Sequence, residues 1–371
     1  MRRPTIADIA SRAGVTKAAV SFALNGQPGV SVATRERILG IASELGFQRS
    51  SAARALSDGR AGAFGLVIDR PARTLSVEPY FMQLISGIQD ELSGSSGDAG
   101  LAGDHTALLF TLVQDTKAEI ELYRNWWAQR RVDGVFLVDL QVRDRRIAVV
   151  RDLGLPAIVI GSPQGSGSLP TVWQNDKAAM ATVVGYLAGL GHRRLARVGG
   201  IARYWHSKLR GEAFASVTRA AGLRTVSVDA DYSSEHGADA TRRLLQGTVL
   251  PGTVVPGTVV PGTGLPGTGL PGAEPPTAIV YDNDLMALAG LAVAKQLGVD
   301  VPGELSIVAW DDSALCELVH PPLTALRRDI GSAGAQAARS LRVLAVGGEV
   351  SDFEEPPPVL EERGSTGFAP V

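Results

Sequence analysis

At 371 residues, with 45% hydrophobic and 20% charged side chains, the chain has the composition of a soluble globular protein with room for two or three domains. Its longest apolar runs, TALLFTLV and LPAIVIG, are strand-sized, and no apolar core follows the arginines of MRRPTIADIA, so neither a membrane span nor secretion is expected. The net charge of −2 hides an asymmetry: residues 1–60 hold nine Lys or Arg against four Asp or Glu, a balance of +5, which leaves −7 for the remainder. A basic head on an acidic body suits contact with a polyanion, although a solvated basic face has the same composition. The single cysteine, Cys316, excludes an intramolecular disulfide and a Cys-based zinc cluster, and the five histidines show no HExxH-type spacing. No metal, cofactor or catalytic residue is expected, and the compartment implied is the reducing cytoplasm.

Residues 5–47 read as three short helices. Thr5 caps the first, whose Ile6, Ile9, Ala10 and Ala13 share one face, and Gly14 ends it. Thr16 caps the second, with Val20 and Leu24 inward, and a third runs from about Thr34 to Leu45, closed by Gly46. The spacing Ala10, Gly14, Val20 is that of a helix-turn-helix, in which the second helix enters the major groove. A generic three-helix packing unit would show the same apolar residues.

RSSAARALSDGR follows, too short and polar for a stable isolated helix. Its Leu56 suits a helix that forms against DNA and wedges a leucine into the minor groove, and a flexible linker with a chance leucine would read the same.

The run from Thr5 to Leu56 resembles the LacI family of transcriptional regulators. TIADIASRAGVTKAAVS, VSVATRERI, ARAL, LGHRRLARVGG, DNDLMALAG, SIVAWDD, HPPLTAL and RGST stand in family order over nearly the whole chain, apart from residues 94–104 and a repeat near the middle. The resemblance implies a helix-turn-helix domain (1–49), a hinge helix (50–60) and a two-lobed, periplasmic-binding-protein-like core (61–371). It further implies a homodimer on pseudo-palindromic operator DNA. Thr5, Thr16, Lys17, Ala18, Ser21, Phe22 and Asn25 of the head, with Arg54 and Leu56 of the hinge, would meet that DNA. Lys17 is the best candidate base reader. Phe22 stands where many relatives carry an arginine, and Ala18 offers no hydrogen bond.

From residue 61 buried strands alternate with helices in two series. AFGLVID, TALLFTLVQD, DGVFLVDL and LPAIVIGS form the first; RLARVGG, TVSVDADY, PTAIVYDND and SIVAWDD form the second. This pattern predicts two doubly wound α/β lobes with parallel sheets, one of about 61–173 and 326–355, the other of about 174–325 and 356–371. Ligands of such sheets bind beyond the strand carboxyl ends, where Asp69, Asn283 and Asp311 stand.

By resemblance, an effector, most simply a carbohydrate, binds between the lobes, clamped by Arg210, Asn283 and Asp311. Arg and Asp give paired donors and acceptors that match vicinal hydroxyls. Tyr80, Phe81, Trp173 and Trp205 are candidate stacking platforms or core aromatics, and His192 a loop-packing residue. Gly161 departs from relatives that place an aspartate after the fourth strand.

GTVLPGTVVPGTVVPGTGLPGTGLP, residues 247–271, is five copies of a pentapeptide between a helix and a strand of the second lobe. Pro-Gly fits the centre of a type II turn, and a long loop costs little closure entropy, so the repeat reads as an expanded loop. LSGSSGDAGLAGDH is a milder insertion in the first lobe. The reading that results is a DNA-binding repressor released by a sugar-like effector. Its rivals are a regulator answering to a purine or protein corepressor, and a solute-binding protein of a transporter.

Overall fold

The computed structural model describes residues 4–24, 26–47, 60–70, 78–94, 106–247 and 274–371. Asn25, the expected hinge helix with Arg54 and Leu56, most of the 92–105 insertion and all of the repeat except Gly247 lie outside the described residues. Two compact units are present, Met1–Ala61 and Gly62–Val371.

The small unit holds α1 (Ile6–Ala13), α2 (Lys17–Leu24) and α3 (Val32–Glu44). Thr5 and Asp8 form a reciprocal capping box: the Thr5 amide donates to the Asp8 carboxylate (2.8 Å) while Thr5 Oγ1 accepts from the Asp8 amide (3.4 Å). Gly14 ends α1 at φ 65°, a left-handed conformation that other residues adopt only at a cost. Thr16 Oγ1 accepts from the Ala19 amide (3.1 Å) and starts α2. The third helix begins at Val32, two residues before the expected Thr34, because Ser31 supplies the cap. Ile9, Val20 and Ile38 are wholly buried and meet in the core of this unit. Burying side chains of this size is worth roughly 1.5–3 kcal/mol each.

In the large unit the strands β1 (Ala63–Asp69), β2 (Ala107–Val113), β3 (Gly134–Leu137), β4 (Ala157–Gly161), β5 (Thr171–Trp173) and β11 (Phe353–Glu354) form one sheet. Its order is β11-β5-β4-β3-β1-β2, and every pairing is parallel. The second sheet, β12-β10-β9-β8-β6-β7, is built from β6 (Arg194–Gly199), β7 (Arg224–Asp229), β8 (Ala278–Tyr281), β9 (Ser306–Ala309), β10 (Thr324–Arg327) and β12 (Val359–Glu361). Only β12 runs antiparallel in it.

Both sheets are covered on two faces, which is why their strands read as near-continuous apolar runs. In β1, Phe64, Leu66 and Ile68 join one cluster with Phe81, Leu84 and Ile88 of α4 (Pro79–Leu92) and Leu341 of α12 (Ile330–Ala345). Val67 points the other way, to Tyr123 and Trp126 of α5 (Thr116–Ala128) and Val150 of α6 (Arg145–Leu153). The second sheet is sandwiched between α7 (Asp176–Gly189) with α8 (Trp205–Ala220) on one side and α9 (Ser234–Leu245) with α10 (Asp284–Gln296) on the other, where the short α11 (Ala314–Leu318) adds Cys316.

The chain crosses between lobes three times: between β5 and α7, between β10 and α12, and between β11 and β12. The second crossing falls after Arg327 and not at 326, because β10 keeps Ala325 paired with Glu361 and Arg327 with Val359 in the second sheet. His192 packs as a buried loop residue, its ring nitrogens 2.9 Å from Thr277 Oγ1 and 3.0 Å from Ser306 Oγ. Among the described residues no helix is long and apolar enough to cross a membrane.

Candidate functional site

On the small unit, α2 turns Lys17, Ala18 and Phe22 outward, with the two capping threonines, Thr5 and Thr16, also exposed and Ser21 half-buried. Phe22 is 40% exposed, its ring beside Gly29, so it stays outside the core and free to meet DNA. No acidic residue stands on α2. Arg35 fastens the turn that follows by donating to the carbonyls of Gln27 (2.6 Å) and Ala23 (3.5 Å).

In the large unit, an open cleft lies between the lobes at the carboxyl ends of the strands. Of the residues expected there, Tyr80, Arg210, Asn283 and Asp311 line it. Arg210, on the second turn of α8, is nearly buried; it donates to Asp176 Oδ2 (3.1 Å) and the Asp282 carbonyl (3.2 Å), and its guanidinium lies 4.6 Å from the Trp310 ring centroid. Burial opposes its charge, but Asp176 and Asp282 outweigh that and raise its pKa, so it stays a fixed cation. Asp311 is ion-paired with Arg328. Asn283 also holds the wall together, since its Oδ1 caps α10 at the Met286 amide (2.9 Å) and its Nδ2 donates to the Tyr232 carbonyl (3.0 Å). One amide hydrogen remains for a ligand.

Four expected residues stand elsewhere. Asp69 ends β1 beside the cleft residues, but its carboxylate faces Arg203 (3.8 Å). Phe81 is wholly buried in the first lobe. Trp205 belongs to α8 yet packs on the first lobe's apolar cluster, with Lys208 Nζ 4.6 Å from its ring centroid. Trp173 lines an adjoining pocket instead.

Several cleft residues were not anticipated. Arg70, one residue beyond β1, is nearly buried and bonds Asp139 through two nitrogens (2.9 and 3.1 Å), with Glu78 at 3.4 Å. Burial raises the Asp139 carboxyl, and the adjacent Arg70 more than reverses this, so its pKa lies below the usual value. Glu78 is different: burial dominates and pushes it up to about 7. His206 Nε2 lies 2.6 Å from the Tyr232 hydroxyl; burial and then the Arg210 charge hold the imidazole neutral, with a pKa of about 3. Asp282 anchors the wall by pairing with the buried Arg197 and accepting from the Gly200 amide (3.1 Å). The strand-end rule that picked Asp69 applies equally to Arg70 and Asp139. Asp139 (φ 50°) and Tyr232 (φ 71°) both hold left-handed backbones that a sequence does not announce.

The lobes also touch through backbone. Val142 donates to the Arg203 carbonyl (2.9 Å) and Trp205 to the Leu140 carbonyl (2.8 Å), a short antiparallel bridge beside the cleft. Arg146 braces the first-lobe side of it, bonding Glu119 (2.8 Å), Asp144 (2.6 Å) and the Asp139 carbonyl (3.0 Å).

Comparison with known proteins agrees with this layout. Residues 5–50 match the family model described as bacterial regulatory proteins, lacI family, and residues 184–366 match the periplasmic binding protein-like domain. The HTH-type transcriptional regulator MalR of Streptomyces coelicolor is 30% identical over 379 residues, covering 98% of this chain and 97% of that protein. A LacI family transcriptional regulator from Bifidobacterium animalis subsp. lactis has a crystal structure that is 35% identical, with a TM-score of 0.68 over 84% of this chain and 99% of that one. The transcriptional regulator CelR–cellobiose complex shares the fold at 24% identity, with a TM-score of 0.68 over 98% of this chain and 100% of that one.

Proposed function

The chain belongs to the LacI family of bacterial transcriptional regulators, and on that premise we propose that it is a cytoplasmic repressor whose grip on operator DNA is set by a sugar-like effector held between its core lobes. It is a DNA-binding regulator and not an enzyme, in keeping with its relatives. The observation that carries the effector reading is the chemistry of the cleft. Three guanidinium groups (Arg70, Arg210, Arg328) share the lining with carboxylates (Glu78, Asp139, Asp176, Asp282, Asp311) and with the rings of Tyr80, His206 and Tyr232. Such a wall offers paired donors and acceptors with flat faces between them, which suits a ligand dense in hydroxyl groups and carrying no net charge.

Arg210, Asn283 and Asp311 act as the clamp in this reading. On DNA, Lys17, Ala18, Ser21 and Phe22 of α2 face the major groove, with Thr5, Thr16 and Asn25 nearby and Arg54 and Leu56 in the hinge. One helix-turn-helix reads a half-site, so the working form is a homodimer on a pseudo-palindrome. A ligand that prefers one lobe arrangement shifts the population of that arrangement, and with it operator affinity.

A thermal-shift screen of the purified protein against sugars and nucleobases tests this reading, since a ligand that binds only the folded state raises the melting temperature. Stabilisation by a sugar supports it. Stabilisation by nucleobases alone would replace it with a purine-controlled regulator.

A further inference from the structure

We propose that Arg203, Tyr204 and Trp205 of the second lobe form a latch on the first, which holds the lobes in the operator-binding arrangement through protein contacts alone. The link to operator binding rests on the repressor reading above, whereas the latch itself stands on geometry.

The latch begins at an uncapped helix. Tyr204 stands at the amino end of α8 and makes no side-chain capping bond, so the Trp205 amide, first in the helix, has no partner within it. It donates to the Leu140 carbonyl of the first lobe (2.8 Å), and the Val142 amide returns a bond to the Arg203 carbonyl (2.9 Å). One lobe thereby caps a helix of the other.

The side chains follow the backbone. The indole of Trp205 joins the apolar cluster around Tyr123, Trp126 and Val150, whose other members among the described residues all belong to the first lobe. Its seat is closed by the backbone at Gly165, where an added Cβ would collide with the indole nitrogen. Tyr204 is wholly buried; the first-lobe Arg70 guanidinium lies 5.3 Å from its ring centroid, and its hydroxyl reaches the Asp69 carbonyl (3.5 Å).

The first-lobe side of the latch is rigid. The Gln141 amide donates to Asp144 Oδ2 (2.8 Å) and its side chain to Thr116 Oγ1 (2.8 Å), while the buried Arg146 bonds both Asp144 (2.6 Å) and the Asp139 carbonyl (3.0 Å). A satisfied buried network of this kind keeps one geometry, because displacing any member leaves a charge unpaired.

The three chain crossings persist in any lobe arrangement, whereas the latch contacts are lost when the lobes part. The cleft is lined by Gln174 and Arg328 beside two crossings and by Asp139 and His206 beside the latch. An effector that prefers another arrangement has to break the latch, and its apparent affinity falls to the degree that the latch is closed.

Amide hydrogen exchange of the full-length protein, with no ligand added, tests the latch. The Val142 and Trp205 amides should exchange about a hundredfold or more slowly than unstructured amides. Exchange at the unstructured rate would overturn the latch, and this arm needs no variant. Trp205→Ala, with circular dichroism confirming a folded core, should release the amides of residues 142 and 205. It should also weaken binding to a duplex that the protein selects from random DNA by about tenfold. Trp205→Phe should restore both, since a phenyl ring fills the seat and the indole N–H it omits has no partner among the described residues. Retained protection in Trp205→Ala would overturn the proposal, as would released amides with operator affinity unchanged or increased. Neither arm uses a saccharide, so indifference to every sugar would remove the effector reading and leave the latch standing.

Discussion

The guanidinium of Arg70, just past the first strand of the first lobe, lies 4.7 Å from the ring centroid of Tyr232 in the second. Tyr204, also of the second lobe, lies 5.3 Å from the same cation. One buried cation of one lobe thus docks on two aromatic faces of the other, while Asp139 neutralises it from its own side and Glu78 stands 3.4 Å away. A desolvated cation–π contact is worth about 2 kcal/mol.

Arg70→Met should therefore destabilise the core strongly. The substitution leaves Asp139 and Glu78 buried without their cation, and breaking a buried pair from one side costs about 3–5 kcal/mol. Urea unfolding followed by circular dichroism reads this as a lower midpoint. Arg70→Lys should recover only part of it, because an ammonium cannot bond Asp139 through two nitrogens. An unchanged midpoint in Arg70→Met would show that the lobes do not depend on this contact.

Stability should depend on pH through two cleft groups of opposite sign. Burial raises the Glu78 carboxyl to about 7 from its ordinary 4.5. Between these values the folded chain holds a proton that the unfolded chain has released, so this contribution is complete below 4.5 and is lost as pH rises towards 7. His206 is held at about 3, below its ordinary 6.5. Its contribution is complete above 6.5 and is lost as pH falls towards 3. Glu78→Gln should accordingly gain stability relative to the parent at neutral pH, and His206→Gln should gain at acidic pH. Urea titrations across that range check both, and identical pH profiles for parent and variants would contradict the assignment.

Much of this site was legible in the sequence, and the reasons it was not complete are physical. The helix-turn-helix was clear because Ile9, Val20 and Ile38 fall at helical spacing between a capping threonine and a turn glycine. The other eight strands stood out as apolar runs. β5, β11 and β12 were passed over because two or three residues carry no periodicity, and β10 because its Thr324–Arg327 holds only two apolar residues. Arg210 and Asp311 were found from motif neighbours. Arg70, Asp139, His206 and Tyr232 were not, since they converge only when two lobes close from distant parts of the chain. Phe81 and Trp205 misled because an aromatic beside a lobe boundary packs inward as readily as it faces a ligand.

Lys17→Ala should weaken operator binding by tenfold or thereabouts, since a base-edge contact of this kind is worth about 1–3 kcal/mol. Lys17 is exposed at the start of α2, so its loss leaves the small unit's core untouched. Fluorescence anisotropy with operator and random duplexes separates base reading from phosphate contact. Equal loss on both would reduce Lys17 to a phosphate contact.

Replacing residues 247–271 by a short Gly-Ser turn should leave folding, dimerisation and effector binding nearly unchanged. The repeat joins α9 to the amino end of β8, whereas the cleft lies beyond the carboxyl ends of the strands. The far side of the insertion is already fastened, with Glu274 paired to Arg194 (3.0 Å) and Arg224 (3.2 Å). Closure entropy grows with the logarithm of the connection's length, so the shortening is worth roughly 1 kcal/mol, in the stabilising direction. A deletion that melts well below the parent, or loses ligand response with its fold intact, would show that the repeat is a working part.

The most direct measurement is the release of the protein from a fluorescent duplex, selected by the protein itself from random DNA, during titration with saccharides. At least one saccharide should shift operator affinity of the parent protein. Arg210→Ala and Asp311→Ala should bind the duplex within a few-fold of the parent yet fail to respond at the same saccharide concentration, because each removes a charged hydrogen bond worth about 1.5–3 kcal/mol. Parent protein indifferent to every saccharide, or variants that respond as the parent does, would contradict control of operator binding through this cleft.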